Sequence, residues 1–327
     1  MKHSSFFFKK KNKLKIFDIF KKIKAINPTK DCNINNIKDL NNANVDDISF
    51  FNSLKYLDVL KKSKAKFIIT QEKNLKFIKN FCKPIVVENV FKAVADITEL
   101  FYPNSLNDNV DFNLISANKK KYKKIKFGKN VLLGKNVQIG NNSIIGHNTI
   151  IESNVVIGSN CNIGSNVIIK YSIIGNNVRI LDGAIIGKKG FGFFPDENIN
   201  LRYPHVGIVL IEDNVEIGSN NTIDRGSISN TVIGKNTFLD NQVHIAHNVS
   251  IGKNCIITAQ VGFAGSSRLG NKVLIGGQAG ISGHIKIGNN VNIGGGSGVI
   301  KNIPDNTRVM GYPAKELKKF LKENKDN

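Results

Sequence analysis

The chain has 327 residues, a formal net charge of +22, 41% apolar residues and no tryptophan. That length allows a sizeable core and more than one domain. No window reaches the roughly 18 uninterrupted apolar residues of a membrane span, and the start, MKHSSFFFKKKNKLKIF, lacks the apolar run and small-residue cleavage site of a signal peptide, so a cytoplasmic protein is expected.

The four cysteines, Cys32, Cys82, Cys161 and Cys255, are scattered without a CxxC pair, which argues against a disulfide framework and against a thiolate zinc site. The positive charge admits two readings. It attracts nucleic acid, anionic lipid or an acidic protein, or else Lys and Asn are simply the default polar residues of this chain. Aromatic residues are not interleaved with a basic stripe, so nucleic acid is not an expected partner.

Residues 1–117 alternate helical and strand-like segments, LDVLKKSKA before KFIIT and CKPIVVEN before VFKAVADITELF, and predict a small α/β domain. Residues 1–25 form an unusually basic extension. KKKYKK (119–124, with Tyr122) reads as a polar linker or a solvated first turn. From Phe127 an aliphatic or aromatic residue recurs every six positions: Leu133, Ile139, Ile145, Ile151, Ile157, Ile163 and Ile169. Glycine usually follows it, and Asn sits three residues after it. The beat shifts phase at Ile174, Ile180 and Ile186, breaks at KKGFGFFPDENINLRYPHVG (188–207) and returns at Ile211, Ile217 and Ile223. One more slip follows near DRGSISN, and the phase then holds from Ile233 to Val299.

A period of six predicts a β-solenoid over 118–303. Each hexad is a short strand with one large inward side chain, followed by a turn whose Gly and Asn tolerate positive φ. Three hexads close a triangular coil of 18 residues, and coils stack about 4.8 Å apart. An amphipathic helix would need a period near 3.6 and few glycines. Residues 304–327 carry the turn GYPA and a short basic helix, KELKKFLKEN, expected to cap the open end.

The unbroken phase lets positions be stacked. His247 lies two residues after inward Ile245, Gly265 two after inward Phe263, and Gly283, beside His284, one coil further. They form one column on one edge of the prism. Imidazole titrates near neutrality, so His247 suits a general base, and Gly265 could present its N–H to an oxyanion. His284, two coils from His247 and on the order of 10 Å away, would touch another part of a substrate. Ordinary surface turns remain the alternative. His244 reads as a strand-face residue and His147 as a turn residue, and His244, His247 and His284 are too far apart for a metal site. Asp224 and Arg225, in TIDRG, read as an ion pair bracing the slipped corner or as the lining of a groove. GFGF (190–193) lacks the strand–turn–helix frame of a dinucleotide site and reads as a lid or lipid-binding wall.

TVIGKN-TFLDNQVHIAHNVSIG, GFGFFPD, VEIGSNNTIDRG, MGYPA, DDISFFNSLKY and VENVFKAVADITELFYP together resemble one family, over roughly residues 30–314. It is the UDP-3-O-(3-hydroxyacyl)glucosamine N-acyltransferase family of lipid A biosynthesis. The resemblance implies a left-handed parallel β-helix of hexapeptide repeats and a homotrimer with sites between subunits. It implies transfer of a 3-hydroxyacyl group from the phosphopantetheine of acyl carrier protein to the 2-amine of UDP-3-O-acylglucosamine, with no metal or other cofactor. Carried over by motif, His247 is the general base, Gly265 the oxyanion donor and His284 a binder of the nucleotide sugar. Asp240 and Asn241 belong near the site, and Phe50 and Tyr56 match aromatics that sandwich uracil. The sequence departs from the family at Ser53, where Asn is frequent and Asn52 lies one place earlier, at Lys189, where an acid is frequent, and at His244, where Gln is common. Alternatives are a hexapeptide acyltransferase using acyl-coenzyme A or another amino-sugar nucleotide, and a non-catalytic scaffold. Peripheral membrane contact stays open.

Overall fold

A computed structural model describes residues 4–25, 30–78, 82–118, 120, 122–195 and 200–311. The basic helix expected near the C-terminus lies outside the described residues.

The N-terminal domain carries a parallel sheet of Asn36–Ile37, Asp47–Phe50, Phe67–Thr70 and Lys83–Val86, in that order. Helix Val90–Phe101 starts where Asn89 accepts a hydrogen bond from the Lys92 amide (3.0 Å), and it buries Val90, Ala93, Val94, Ile97 and Phe101 at helical spacing. Helix Ile16–Ile23 lays Ile16 and Ile19 into the same core, with Lys22 paired to Asp96. The basic extension is therefore built into the domain. It also reaches the solenoid, where Phe8 stacks on Tyr171 with ring centroids 4.9 Å apart.

The second domain is the parallel β-helix that the repeat predicts. Its two- to five-residue strands form three long sheets, and their neighbours are 18 residues apart where the phase holds, as in Ile145 on Ile163 and Ile257 on Ile275. The phase breaks are coils of other lengths: Ile157 pairs with Ile174, Ile186 with Ile223, and Ile223 with Ile245. Inward Ile145, Ile163, Ile180, Ile217 and Ile257 are no more than 1% exposed, each contributing about 1.5–3 kcal/mol of burial. Cys161 and Cys255 are buried among them as small apolar side chains. Strand Ile115–Ser116 pairs antiparallel with Leu132–Leu133, and Tyr122 packs on the solenoid core and donates to Val137 O (2.8 Å). That end of the solenoid is thus covered.

Gly and Asn divide the turn positions between them for different reasons. Asn takes the left-handed conformation, as at Asn130, Asn148 and Asn166, with amides hydrogen-bonded from coil to coil. Most of the glycines instead mark close approach. A Cβ on Gly128 would lie 2.7 Å from the backbone nitrogen of His147 in the next coil. Among the described residues, no helix is long and apolar enough to cross a membrane.

Candidate active site

The turn after strand His244–Ile245, like the turn at Ala259, lacks a cap that many of the other turns have. In many of the turns, the first amide N–H is capped by a side chain one coil further on. Lys135 N donates to Ser153 Oγ (2.9 Å), Lys253 N to Asn271 Oδ1 (2.8 Å) and Asn271 N to Asn289 Oδ1 (2.8 Å). For His247 and Gly265, the capping positions hold Gly265 and Gly283, which have no side chain. Neither amide has a hydrogen-bond acceptor among the described residues. The room thus left over Gly265 is filled by the His247 imidazole: a Cβ on Gly265 would lie 2.7 Å from Cε1 and 2.8 Å from Nε2.

His247 is held in one tautomer by Asn248. The Asn248 Nδ2 donates to Ser229 O and Ser229 Oγ (both 2.8 Å), which turns Oδ1 toward the His247 Nδ1 at 2.9 Å. That oxygen also accepts from Ser227 N and Oγ. An amide oxygen only accepts, so Nδ1 carries a proton, and the neutral ring presents its lone pair at Nε2. Sequence reasoning passed over Asn248 because it resembles the other turn asparagines. Its succession to a histidine is shared with Asn148, which follows His147, so that signal did not separate them.

Residues 188–195 and 200–207 fold over this turn. Antiparallel strands Phe193–Pro195 and Asn200–Arg202 pair there, with Phe191 83% exposed at the edge and its ring 4.6 Å from that of Phe193. Gly190 passes close to His247, and a Cβ there would lie 2.8 Å from the His247 Cβ. His205, also missed by sequence reasoning, is fully buried with its ring edge-to-face with His247, centroids 5.2 Å apart. Burial, reinforced by the His247 and Arg225 charges, pushes its pKa down to about 3. Arg225 supports it from behind, donating from Nε to His205 O (3.1 Å), pairing with Asp108 (2.8 Å) and stacking over Tyr171 (4.1 Å). Burial raises the Asp108 carboxyl, but the hydrogen bond and charge of Arg225 outweigh it and hold the group low. The expected Asp224–Arg225 pair does not form; Asp224 pairs instead with Lys188 at 2.6 Å, since neighbouring residues on the strand Thr222–Arg225 face opposite sides.

The N-terminal domain meets the column at its next level. Tyr56 Oη lies 2.8 Å from His284 Nδ1, joining residues 228 apart in sequence. Burial lowers the His284 pKa, helped by Lys55 and His247. Phe50 is half-buried against the N-terminal core, and Ser53 Oγ accepts from Lys55 N (3.4 Å), opening the turn Leu54–Tyr56. Asp240 and Asn241 follow strand Phe238–Leu239 in a different sheet. There Asn241 caps Ser219 N (2.7 Å) and Asp240 accepts from Asn241 N (2.7 Å). A single chain therefore groups His247, Gly265, His284 and Tyr56, and leaves Asp240 and Asn241 on another edge.

Beside His247 runs a groove of about 500 Å³ lined by His244, Ala246, Phe263, Ala264, Ile281 and Ile300. Its floor carries Gly262, Gly280 and Gly298, where an added Cβ would meet nothing within 4 Å. His244, half exposed at its rim, is hydrogen-bonded through Nδ1 to Thr222 Oγ1 (2.7 Å).

Comparison with known proteins gives matches in both domains. Residues 31–100 match the family described as UDP-3-O-(3-hydroxymyristoyl) glucosamine N-acyltransferase, LpxD. Residues 124–159, 136–171 and 230–265 match the bacterial transferase hexapeptide repeat. A UDP-3-O-acylglucosamine N-acyltransferase of Agrobacterium fabrum is 54% identical over 155 residues, 47% of this chain and 44% of that one. One of Caulobacter vibrioides is 47% identical over 156 residues, 48% of this chain and 46% of that one. The chain thus spans less than half the length of the curated relatives it matches. Among solved structures, a UDP-N-acetylglucosamine acyltransferase from Campylobacter jejuni is 26% identical with a TM-score of 0.48, covering 54% of this chain and 68% of that one. The family resemblance read from the sequence is borne out by the family model over residues 31–100 and by these relatives, with the hexapeptide repeat matched in the solenoid.

Proposed function

We propose that the protein is an N-acyltransferase that moves a 3-hydroxyacyl group from acyl carrier protein to the 2-amine of UDP-3-O-(3-hydroxyacyl)glucosamine, with His247 as general base. The observation that carries this reading is the His247 ring, its Nδ1 turned to Asn248 Oδ1, stacked over Gly265 with its uncapped amide. The amine nitrogen attacks the thioester carbonyl carbon while its proton passes to Nε2. The Gly265 N–H donates to the oxyanion as it forms. Collapse breaks the carbon–sulfur bond, and the departing thiolate takes the proton back from the His247 imidazolium. The products are an amide and a free carrier thiol, and no covalent acyl-enzyme is needed.

Tyr56 and His284 hold the nucleotide sugar, and the glycine-floored groove accepts an acyl chain. Asp240 and Asn241 sit on another edge of the prism, so in this reading they complete the site of a neighbouring copy in a homotrimer. The surplus positive charge suits an acidic carrier protein in the cytoplasm.

The test is His247→Ala with the carrier thioester and the UDP-amino sugar. Acyl transfer should fall by about 10²–10⁴-fold while the melting temperature holds. Turnover at the wild-type rate would overturn the mechanism, and equal use of acyl-coenzyme A would overturn the donor.

A further inference from the structure

We infer that His205 is a positioning residue for His247: its ring packs edge-to-face against the general base and turns an unprotonated nitrogen toward the charge that base acquires. The inference rests on the acyl-transfer reading and adds a residue to it.

The tautomer of His205 follows from its surroundings. Nδ1 lies 3.0 Å from Tyr203 O, a carbonyl that only accepts, so Nδ1 carries the proton. Nε2 is then a lone pair, and it is buried without a hydrogen-bond partner. That edge of the ring lies against Gly190 and Gly192: a Cβ on Gly190 would be 2.8 Å from the His247 Cβ and 2.9 Å from the His205 Nε2, and a Cβ on Gly192 would be 3.2 Å from the same nitrogen. The lone-pair edge therefore faces the segment that touches His247. Of the other cations nearby, Arg225 pairs with Asp108 through Nη1 and keeps a buried Nη2 without a partner, and Lys189 donates to Leu106 O (2.6 Å). His247 is the neighbour whose charge changes during the reaction.

A merely structural side chain would not be arranged in this way. A buried acceptor without a partner destabilises the fold, and an apolar ring of the same shape would avoid that cost. Burial also keeps His205 neutral, so it never competes with His247 for the proton. Its main-chain oxygen is anchored by Arg225, itself fully buried, which fixes the ring relative to the solenoid. In the reaction, the neutral nitrogen dipole favours the imidazolium over the neutral ring, and so favours the state in which the amine proton has been taken.

The experiment compares wild type, His205→Phe and His205→Gln in acyl transfer. Phe keeps the ring shape without the lone pair, and Gln keeps a side-chain acceptor without the ring. Phe should lower kcat by about 10- to 100-fold, with KM for the carrier thioester unchanged and the melting temperature within about 3 °C of wild type. Gln should recover most of kcat. Should Phe fail to fold, His205→Leu makes the same comparison. Wild-type kcat in Phe or Leu would overturn the inference, as would equal losses in Gln and the apolar variant. Absence of transfer by wild type would instead overturn the proposed function, and this inference with it.

Discussion

Gly265→Ala probes the column most directly. The added methyl would stand 2.7 Å from the His247 Cε1, 2.8 Å from Nε2 and 3.3 Å from Nδ1, against an ordinary carbon contact of about 3.5–4.0 Å. The ring must therefore retreat by roughly 1 Å. It has little freedom to do so. Asn248 holds Nδ1 at 2.9 Å, Gly190 presses on the His247 Cβ, and the His205 ring stands 5.2 Å away. Moving the ring breaks the Asn248 bond and withdraws Nε2 from the attacking amine. A displacement of this size costs about 10²-fold in rate, or about 2.7 kcal/mol of transition-state stabilisation. Gly265 does not have the positive φ that only glycine adopts easily, so the backbone accepts alanine and the fold should hold. The assay is steady-state release of the carrier thiol, read beside thermal melting. A Gly265→Ala enzyme with kcat within threefold of wild type would refute the stacking of His247 on Gly265.

Two further outcomes are expected. Tyr56→Phe removes the 2.8 Å bond to His284 and should raise KM for the UDP-amino sugar roughly 2- to 10-fold with kcat nearly unchanged, as steady-state kinetics would show. For pH, the His205 pKa is depressed in the fold, to about 3 from 6.5. The unfolded chain therefore takes up the proton first, and the associated stability is present above pH 6.5 and lost as pH falls toward 3. Urea unfolding should show His205→Gln gaining roughly 2 kcal/mol on wild type between pH 6.5 and 4.5, and parallel pH curves would refute the buried neutral imidazole.

The solenoid was legible because one large inward side chain per hexad is a repeating physical requirement, and each break in phase marks a coil of unusual length. Stacking His247 over Gly265 succeeded for the same reason, since strands His244–Ile245 and Gly262–Phe263 pair residue for residue. What escaped lacks a period. His205 reaches His247 only through the packing of residues 188–195 and 200–207, and the Tyr56–His284 contact depends on how the N-terminal domain docks. The partners of Asp224 and Arg225 come from Lys188 and Asp108, on separate segments. Asn248 was visible but indistinguishable by residue type from the asparagines that merely turn the chain.

The site gathers where the repeat is violated. A side-chain cap on the Gly265 amide, such as Asn271 provides for Lys253, would leave no donor for an oxyanion. A regular coil would also run straight from Ile186 to the next strand, whereas the pairing of Ile186 with Ile223 makes room for the loop that brings Gly190 and His205 onto His247. The same long coil supplies Arg225, whose guanidinium joins the loop, the solenoid and the N-terminal extension through His205 O, Tyr171 and Phe8. The regular hexads provide a rigid axis that sets the spacing along the column. Glycines at the capping positions of these regular coils leave the Gly265 amide uncapped, and the irregular coils enclose the His247 imidazole and hold its Nδ1 through Asn248.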